Sequence, residues 1–247
     1  MFRDDFNTFD ESQWIRGFWW QDNRVPFDER IKREWFNSDN VTILNGYLLL
    51  LLRWQPKTFE YLKYLYDCLS VTTDPDKQQY LISLIAKYKN DPEITINVSS
   101  GVVCSKKLFS YGYYEARIFM QSEKTWNAFW LYGEGKDPTE IDIMEQLNGK
   151  LNEYSTNAHI TYKTCFGRRK RKQHEQDIAQ TIIGWHTYGL DLKKDKLIFY
   201  FDGNPVRVLS RHVSQITLPQ RVIFNTACYP EYDTMMKIDY FVYNPSV

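Results

Sequence analysis

Short β-type segments joined by two-residue turns recur along this chain and limit its fold more than any other feature. Residues 41–44 and 47–52 flank Asn45-Gly46, a dipeptide that the tight type I′ turn of a β-hairpin favours. Residues 196–201 and 206–210 lie on either side of Asp202-Gly203 in the same way. Further strands are predicted at residues 113–120, 221–226 and 236–243. Many short strands separated by turn residues predict an all-β sandwich or barrel.

Residues 56–97 depart from this pattern. Between residues 76 and 89, apolar side chains recur at helical spacing. Asp74 followed by Pro75 supplies a helix N-cap and a first-turn proline. The apolar stripe consists of Tyr80, Leu81, Leu84, Ile85 and Tyr88. We therefore predict a helical insertion at about 56–97 that packs on the sandwich, within a single domain spanning residues 1–247.

Charge and hydropathy exclude several classes of protein. Lys and Arg total 31, as do Asp and Glu, so no net charge draws the chain to nucleic acid or to a membrane surface. The longest apolar run, residues 47–52, is too short to span a bilayer. The aromatic share of 17% is high, and exposed rings suit the apolar faces of sugars. We expect a monomer with no nucleic-acid partner and no membrane insertion.

The cysteines and the N-terminus leave alternatives open. The four cysteines have no metal-type spacing, and they can form three different disulfide pairings or remain buried free thiols. They are Cys68, Cys104, Cys165 and Cys228. Residues 1–5 lack the hydrophobic stretch of a signal peptide. The chain is therefore either cytoplasmic or the mature form of a protein whose leader has been removed.

Three acids fall close together on one predicted strand. Glu140 and Asp142 share a face because side chains alternate along a strand. Glu145 would point to the opposite face unless a β-bulge at Ile143 or Met144 adds one residue. Such a bulge gathers three carboxyl groups on one face, which must then be solvated or functional. The alternative is a polar edge strand with three solvated acids, since short acidic motifs recur by chance.

Residues 140–145 (EIDIME) resemble the catalytic signature of glycoside hydrolase family 16 in its longer, bulged form. Residues 109–117 (FSYGYYEAR) are similar to the family strand before the active site, and residues 126–131 (WNAFWL) to its WPAFWL stretch. Residues 185–191, 199–203 and 238–243 resemble later family strands. Because these matches follow one another in the same order as in the family, together they are far more specific than any single motif. They imply a jelly-roll β-sandwich of two antiparallel sheets with a concave substrate cleft.

The resemblance assigns a role to each acid. Glu140 would be the nucleophile, Glu145 the general acid/base, and Asp142 the acid between them that orients the pair. A retaining glycosidase needs two carboxyl groups about 5–5.5 Å apart, one ionised and one protonated. Crowded acids keep one proton at neutral pH, and Glu145 becomes more acidic once Glu140 is esterified. The implied activity is endo-hydrolysis of a β-linked polysaccharide with retention of configuration.

The resemblance also extends, position by position, to residues that would bind substrate. They are Glu115, Arg117, Trp126, Trp130, His159 and Asn225. Glu115 and Arg117 share a strand face that would line the cleft, and the two tryptophans share a face if no bulge separates them. Core packing is the alternative for the tryptophans, and a structural role is the alternative for His159. His186 is interpreted as structural.

Two departures from the family pattern leave the subgroup undecided. Asn127 stands where proline is usual, and Leu192 stands where tryptophan is common. The resemblance implies no required cofactor and no catalytic metal. A structural calcium is possible in the family, and Asp239 could contribute a ligand, although no calcium-binding cluster of acids accompanies it.

Residues 168–172 (RRKRK) are the one concentrated charge feature. A solvated loop or hairpin tip is the ordinary interpretation, and an arm that contacts an anionic polymer such as a sulfated algal galactan is the sharper one.

The bulged signature occurs in laminarinase-type β-1,3-glucanases and in agarases, porphyranases and carrageenases, so both β-1,3-glucan and algal β-galactan remain open as substrates. A secreted, periplasmic or cell-surface location is implied. A non-catalytic carbohydrate-binding sandwich and a transglycosylase are the alternative functions.

Overall fold

A computed structural model of the chain describes residues 1–20, 33–121, 125–135, 138–146, 150–164, 166–228 and 233–246. The first nine strands are β1 (Phe2–Asp4), β2 (Trp14–Arg16), β3 (Glu34–Phe36), β4 (Val41–Leu44), β5 (Tyr47–Phe59), β6 (Ile94–Ser100), β7 (Val102–Ser105), β8 (Gly112–Met120) and β9 (Thr125–Gly133). The later strands are β10 (Thr139–Glu145), β11 (Tyr154–Lys163), β12 (Arg169–Gln173), β13 (Gln176–Ile178), β14 (Gly184–Leu192), β15 (Leu197–Phe201), β16 (Asn204–Leu209), β17 (Gln220–Cys228) and β18 (Thr234–Pro245). The helices are α1 (Tyr61–Val71) and α2 (Pro75–Tyr88).

The strands form two sheets. The front sheet has eight strands in the order β12-β11-β10-β9-β17-β7-β2, with β13 paired to β11. The back sheet has ten strands in the order β16-β15-β14-β8-β18-β5-β6-β3, with β1 paired to β18 and β4 to β5. β9, β10 and β11 are antiparallel neighbours, whereas β3 and β6 run parallel. The predicted all-β sandwich is confirmed, and the parallel pair is a departure from purely antiparallel sheets.

The main core lies between the sheets and is filled by alternate residues of facing strands. β8 buries Tyr114, Ala116 and Ile118, while the residues between them point away from the core. β10 buries Ile141 and Ile143 from the other side. Burial of each isoleucine side chain contributes about 1.5–3 kcal/mol, so the apolar residues fix which face of each strand points inwards.

The two predicted hairpins are present. Asn45 and Gly46 have φ values of 55° and 76°, and Asp202 and Gly203 have φ values of 47° and 74°. These left-handed values at both central residues are the requirement of a type I′ turn. The turns join β4 to β5 and β15 to β16.

The helical insertion is shorter than predicted. Residues 56–59 and 94–97 belong to β5 and β6, so the two helices occupy only the segment between these strands. The pairing of β5 with β18 ends at Leu52, whereas the pairing of β5 with β6 continues to Phe59 and Ile94. Asp74 caps α2 by accepting hydrogen bonds from two backbone N–H groups, as predicted. Leu81 is buried, but Tyr80 is 47% exposed and does not belong to the packed stripe.

The two helices have a small core of their own. It consists of Trp35, Phe59, Tyr61, Leu65, Leu81 and Ile96. The insertion therefore packs on the outer ends of β5 and β6 and on β3, and it contributes nothing to the main core between the sheets. Neither α1 nor α2 is long and apolar enough to cross a bilayer.

The structure describes the side chains of two of the four cysteines. Cys68 and Cys104 are free thiols. Burial raises the pKa of the Cys104 thiol to about 12, so it stays protonated and unreactive at neutral pH. Cys165 and the side chain of Cys228 lie outside the described residues.

Candidate active site

The three acids of β10 lie on one face because the strand contains a bulge. Along β9, Trp130 pairs with Asp142 and its neighbour Phe129 pairs with Met144, so Ile143 is an extra residue. Along β11, the same irregularity falls between Asp142 and Glu145. Ile143 and Met144 are both buried in the main core. The predicted bulge is therefore confirmed, and it turns the Glu145 side chain back to the face that carries Glu140 and Asp142.

That face lines a cavity of about 750 Å³ on the outer side of the front sheet. Its lining includes seven of the nine predicted site residues, namely Glu140, Asp142, Glu145, Trp126, Trp130, His159 and Asn225. They come from four adjacent strands, β17, β9, β10 and β11, whose side chains share this face of the sheet. The volume is in the range of ordinary ligand sites.

Glu145 is a carboxyl group that holds its proton near neutral pH. Its pKa is raised from the ordinary 4.5 to about 7, mainly by burial and also by the charge of Glu140. The Trp126 indole opposes this shift by donating a hydrogen bond from Nε1 to Oε1 of Glu145 over 3.0 Å. A group that titrates near 7 can both donate and accept a proton at physiological pH.

Asp142 is almost completely buried between the other two acids. Burial raises its pKa well above the ordinary value, and the charges of Glu145 and Glu140 raise it further. The ionised form of Asp142 is thus disfavoured, and a carboxyl that keeps its proton can donate a hydrogen bond to a neighbouring carboxylate.

Glu140 is the acid with cationic and polar neighbours. Its Oε2 lies 3.5 Å from Nη2 of Arg171, and its Oε1 lies 3.4 Å from Nε2 of His159. The pKa of His159 is lowered by burial, with the charge of Glu140 acting in the opposite direction and that of Arg171 in the same one. His159 is therefore neutral at pH 7, and the guanidinium is the permanent cation beside Glu140. The cavity thus combines a carboxylate next to a cation with a second carboxyl that keeps its proton.

The two predicted tryptophans both face the cavity. Trp126 and Trp130 are partly exposed, whereas Phe129 between them is buried. Nε1 of Trp130 donates a hydrogen bond to Oδ1 of Asn225 over 2.7 Å, which orients the amide in the cavity. Neither tryptophan belongs to the main core between the sheets, although Trp130 also packs against a smaller buried cluster of Val102, Cys104 and Ile223.

The prediction that Glu115 and Arg117 line the cleft is wrong. Both belong to β8 in the back sheet, and their side chains point away from the core on the opposite side of the sandwich. Glu115 accepts hydrogen bonds from the hydroxyls of Tyr113 and Tyr240. Arg117 forms an ion pair with Asp239 over 2.7 Å. Strand alternation correctly placed the two residues on one face, but it could not indicate which sheet would contain β8.

The same ion pair bears on the structural calcium. The carboxylate of Asp239 is already neutralised by a guanidinium, and no other acid joins it in a metal-type group among the described residues. Asp239 is thus engaged by Arg117, and a structural calcium stays a prediction. The group of described residues with metal-ligand spacing is Glu140, Asp142 and His159, inside the cavity.

Several residues of the cavity wall are not predicted as site residues from the sequence. Arg171 and Gln173 of β12 line it, as do Phe18, Trp20, Phe36 and Tyr132. Arg171 lay within the basic run, but only its pairing opposite Thr161 of β11 brings its side chain to the acids. The consecutive aromatic residues 18–20 were the one signal that could have indicated the aromatic part of the wall.

Comparison with known proteins identifies proteins that are similar to this chain. Beta-porphyranase B of Zobellia galactanivorans is 30% identical over 132 residues, which is 44% of this chain and 44% of that relative. The match thus spans less than half of the relative's length. Among solved structures, the kappa-carrageenase from Pseudoalteromonas carrageenovora has a TM-score of 0.67 and 19% identity, over 97% of this chain and 91% of that chain. The laminarinase catalytic domain from Thermotoga maritima MSB8 has a TM-score of 0.68 and 17% identity, over 100% of this chain and 98% of that chain.

These two structures share the fold with this chain, and the sequence match defines the family. The model of Glycosyl hydrolases family 16 matches residues 66–235, a range that includes the bulged strand and its three acids. The chain belongs to glycosyl hydrolases family 16.

Proposed function

We propose that this protein is an endo-acting, retaining glycoside hydrolase of β-linked polysaccharides. The observation that carries the proposal is the bulge in β10, which directs Glu140 and Glu145 into one cavity in different electrostatic surroundings. Glu140 lies beside a guanidinium, and Glu145 keeps its proton up to about pH 7. A double-displacement mechanism needs one ionised and one protonated carboxyl in this arrangement.

In the first step, the Glu140 carboxylate attacks the anomeric carbon as the bond to the leaving oxygen breaks. Glu145 donates its proton to that oxygen, and the sugar is left as an ester of Glu140. Esterification removes the negative charge of Glu140, so Glu145 loses a repulsive neighbour and becomes more acidic. In the second step, ionised Glu145 takes a proton from water, the water oxygen attacks the anomeric carbon, and Glu140 leaves as a carboxylate.

Asp142 and His159 orient the pair in this mechanism. Asp142 lies between the glutamates in the strand, and its raised pKa favours a protonated form that can donate a hydrogen bond to the carboxylate of Glu140. Neutral His159 lies near both Glu140 and Asp142, at 3.4 and 3.6 Å from their oxygens. Trp126, Trp130 and Asn225 would contact the sugar rings on either side of the cleaved bond.

Of the two substrate classes, the geometry favours an algal β-galactan that carries anionic groups over a β-1,3-glucan. The cavity-facing residues of β12 include Arg171, whose side chain is 51% exposed beside Glu140. Lys172, the next residue, pairs with Ile160 and points to the opposite side of the sheet. A guanidinium binds sulfate through two parallel hydrogen bonds, which an ammonium does not do.

The proposed activity is tested with a panel of laminarin, mixed-linkage glucan, agarose, porphyran and carrageenans. We expect products of intermediate size from one of the galactans, released first as the β-anomer in proton NMR spectra. Release of the α-anomer would contradict the retaining mechanism. Binding without any release of reducing ends would favour a carbohydrate-binding module, and transfer of product to an added acceptor oligosaccharide would favour a transglycosylase.

Arg171→Gln tests the anionic substrate, with Lys172→Gln as a control that removes one charge from the other side of the same strand. We expect Arg171→Gln to lower the ratio of kcat/KM on the sulfated galactan to that on its desulfated form about tenfold, which corresponds to about 1.4 kcal/mol. Taking the ratio cancels any effect of Arg171 on Glu140. An equal change in both variants, or a ratio independent of ionic strength, would refute the assignment.

The same proposal includes a secreted, periplasmic or cell-surface location, since an enzyme encounters these polysaccharides outside the cytoplasm. Fractionation of cells of the source organism with an antibody to this chain checks it. Recovery with the cytoplasmic fraction would contradict it.

A further inference from the structure

The cavity that holds the acids continues to a wall of aromatic rings. Phe18, Trp20 and Phe36 line it together with Trp130. The rings of Phe18 and Trp20 are stacked, with centroids 4.3 Å apart and planes at 12°, and Phe18 meets Phe36 edge-on at 4.9 Å. Trp20 in turn lies 6.5 Å from Trp130. The wall is therefore continuous with the part of the cavity that contains the predicted tryptophans.

Adjacent residues in this wall have different environments. Trp19 packs against Tyr132 at 5.4 Å, and the guanidinium of Arg221 lies 5.0 Å from a Trp19 ring. Trp20 is 52% exposed and lines the cavity, while Phe18 stacks on its indole. Trp19 thus anchors the segment while Trp20 presents a flat apolar surface. The C–H face of a pyranose ring is the part of a polysaccharide that such a surface can bury.

β3 connects this wall to the helical insertion. Trp35 is buried in the small core formed with α1 and α2, and its Nε1 donates a hydrogen bond to the backbone oxygen of Gln55 over 2.8 Å. Because side chains alternate along a strand, burying Trp35 on one side directs Glu34 and Phe36 to the other side. Both of these residues line the cavity. Trp35 therefore connects the small core of the helices to two residues that line the cavity.

We propose that Trp20 and Phe36 form a further sugar-binding subsite next to Trp130, and that the two-helix insertion holds this subsite in place by burying Trp35. Its occupant is a further pyranose ring of the chain that is bound across Glu140 and Glu145. The inference rests on the proposed function. It gives the insertion a role in binding long substrates and no role in the chemical step.

The test measures binding by calorimetry in the Glu145→Gln background, where a bound saccharide is not turned over. The probes are trisaccharides and hexasaccharides of laminarin and of desulfated and native carrageenan. We expect Trp20→Ala to weaken the binding of the hexasaccharide about tenfold and to leave the trisaccharide unchanged. Trp54→Ala is the matched control, because Trp54 is 51% exposed on β5 and does not line the cavity.

The role of the insertion is tested by replacing residues 60–93 with an Asn-Gly turn. This closure is geometrically possible because Phe59 and Ile94 are paired directly. We expect the same tenfold loss for the hexasaccharide and normal trisaccharide binding. Trp35→Leu, which keeps an apolar residue in the small core, is the second variant in case the deletion does not fold, and it should show a loss in the same direction.

The possible results separate the two proposals. Unchanged hexasaccharide binding in Trp20→Ala overturns the subsite, and unchanged binding in the folded insertion variant overturns the role of the helices. In both cases the proposed hydrolase function stands. If neither saccharide binds Glu145→Gln and the wild-type protein releases no reducing ends, the proposed function and this inference fail together.

Discussion

Strands β8 and β10 both carry charged residues on alternate outward positions, yet the two sets have opposite surroundings. On β8, Glu115 accepts hydrogen bonds from Tyr113 over 2.5 Å and from Tyr240 over 2.8 Å. Next to it, Arg117 is paired with an acid of β18. On β10, apolar residues separate the three acids, and the charges that act most on Asp142 and Glu145 are those of neighbouring acids.

The difference separates groups that stabilise the fold from groups that are free to react. Burial and the hydrogen bond to Glu115 raise the pKa of Tyr240 to about 12, so its hydroxyl remains a donor at any physiological pH. On β10, by contrast, burial and mutual repulsion raise the pKa values of Glu145 and Asp142, which destabilises their ionised forms. Such shifts cluster at functional sites because catalysis needs acids that titrate near neutral pH.

The largest expected difference between the two strands is in activity. Glu145→Gln should lower kcat by about 10²- to 10⁴-fold, because it removes the proton donor and the later base. Glu115→Gln, the same substitution in the back sheet, should change kcat less than twofold. Reducing-end assays on the preferred polysaccharide measure both, with circular dichroism as the control for folding. Similar losses in the two variants would show that the comparison of β8 and β10 is wrong.

The second difference is in how stability depends on pH. Because the pKa of Glu145 is raised from 4.5 to about 7, the folded protein binds this proton more tightly than the unfolded chain does. The resulting stabilisation is fully present below pH 4.5 and is lost as the pH rises through 7. Relative to wild type, Glu145→Gln should therefore gain up to about 3 kcal/mol in the free energy of unfolding between pH 4.5 and pH 8.

Glu115→Gln is again the control. It should show no such gain and should lose about 1 kcal/mol at both pH values, because its hydrogen bonds to the two tyrosines are weakened. Urea unfolding at pH 4.5 and pH 8 gives both values. A difference between Glu145→Gln and wild type that does not vary with pH would mean that burial of this carboxyl has no energetic cost.

The smallest expected effect concerns the hydrogen bond that opposes the shift of Glu145. Activity should fall as the pH rises through about 7, because only protonated Glu145 can donate to the leaving group. Trp126→Phe removes the indole donor that stabilises the Glu145 carboxylate, so the pKa of Glu145 rises and the alkaline limb of kcat moves to higher pH. A pH profile of kcat measures the shift, and a shift to lower pH would contradict this role of Trp126.

Much of the fold could be predicted from local patterns. The Asn45-Gly46 and Asp202-Gly203 turns and the Asp74 cap depend only on residues close in the chain, and all are found in the structure. The predicted ends of the insertion are wrong because β5 and β6 stay paired up to Phe59 and Ile94. Pairing with a distant strand leaves no signal in the local sequence.

The candidate site, like the fold, could be predicted from the sequence only in part. The bulge in β10 could be inferred because apolar and acidic residues change their alternation within a few positions of one strand. Arg171 and Trp20 could not be assigned to the site, since Arg171 reaches the acids only through the strand order β12-β11-β10 and Trp20 packs near Trp130, a residue far away in sequence.

The sequence by itself determined the strand faces, the two tight turns, the helix cap and the gathering of three acids, because each depends on alternation or turn chemistry within a few residues. Only the tertiary structure decided that β10 borders the cavity whereas β8 lies on the far side of the sandwich. It also brought Arg171 to Glu140 and joined the insertion to the aromatic wall. The physical reason is that the order of strands in a sheet is set by burying every apolar face at once, and that condition involves the whole chain.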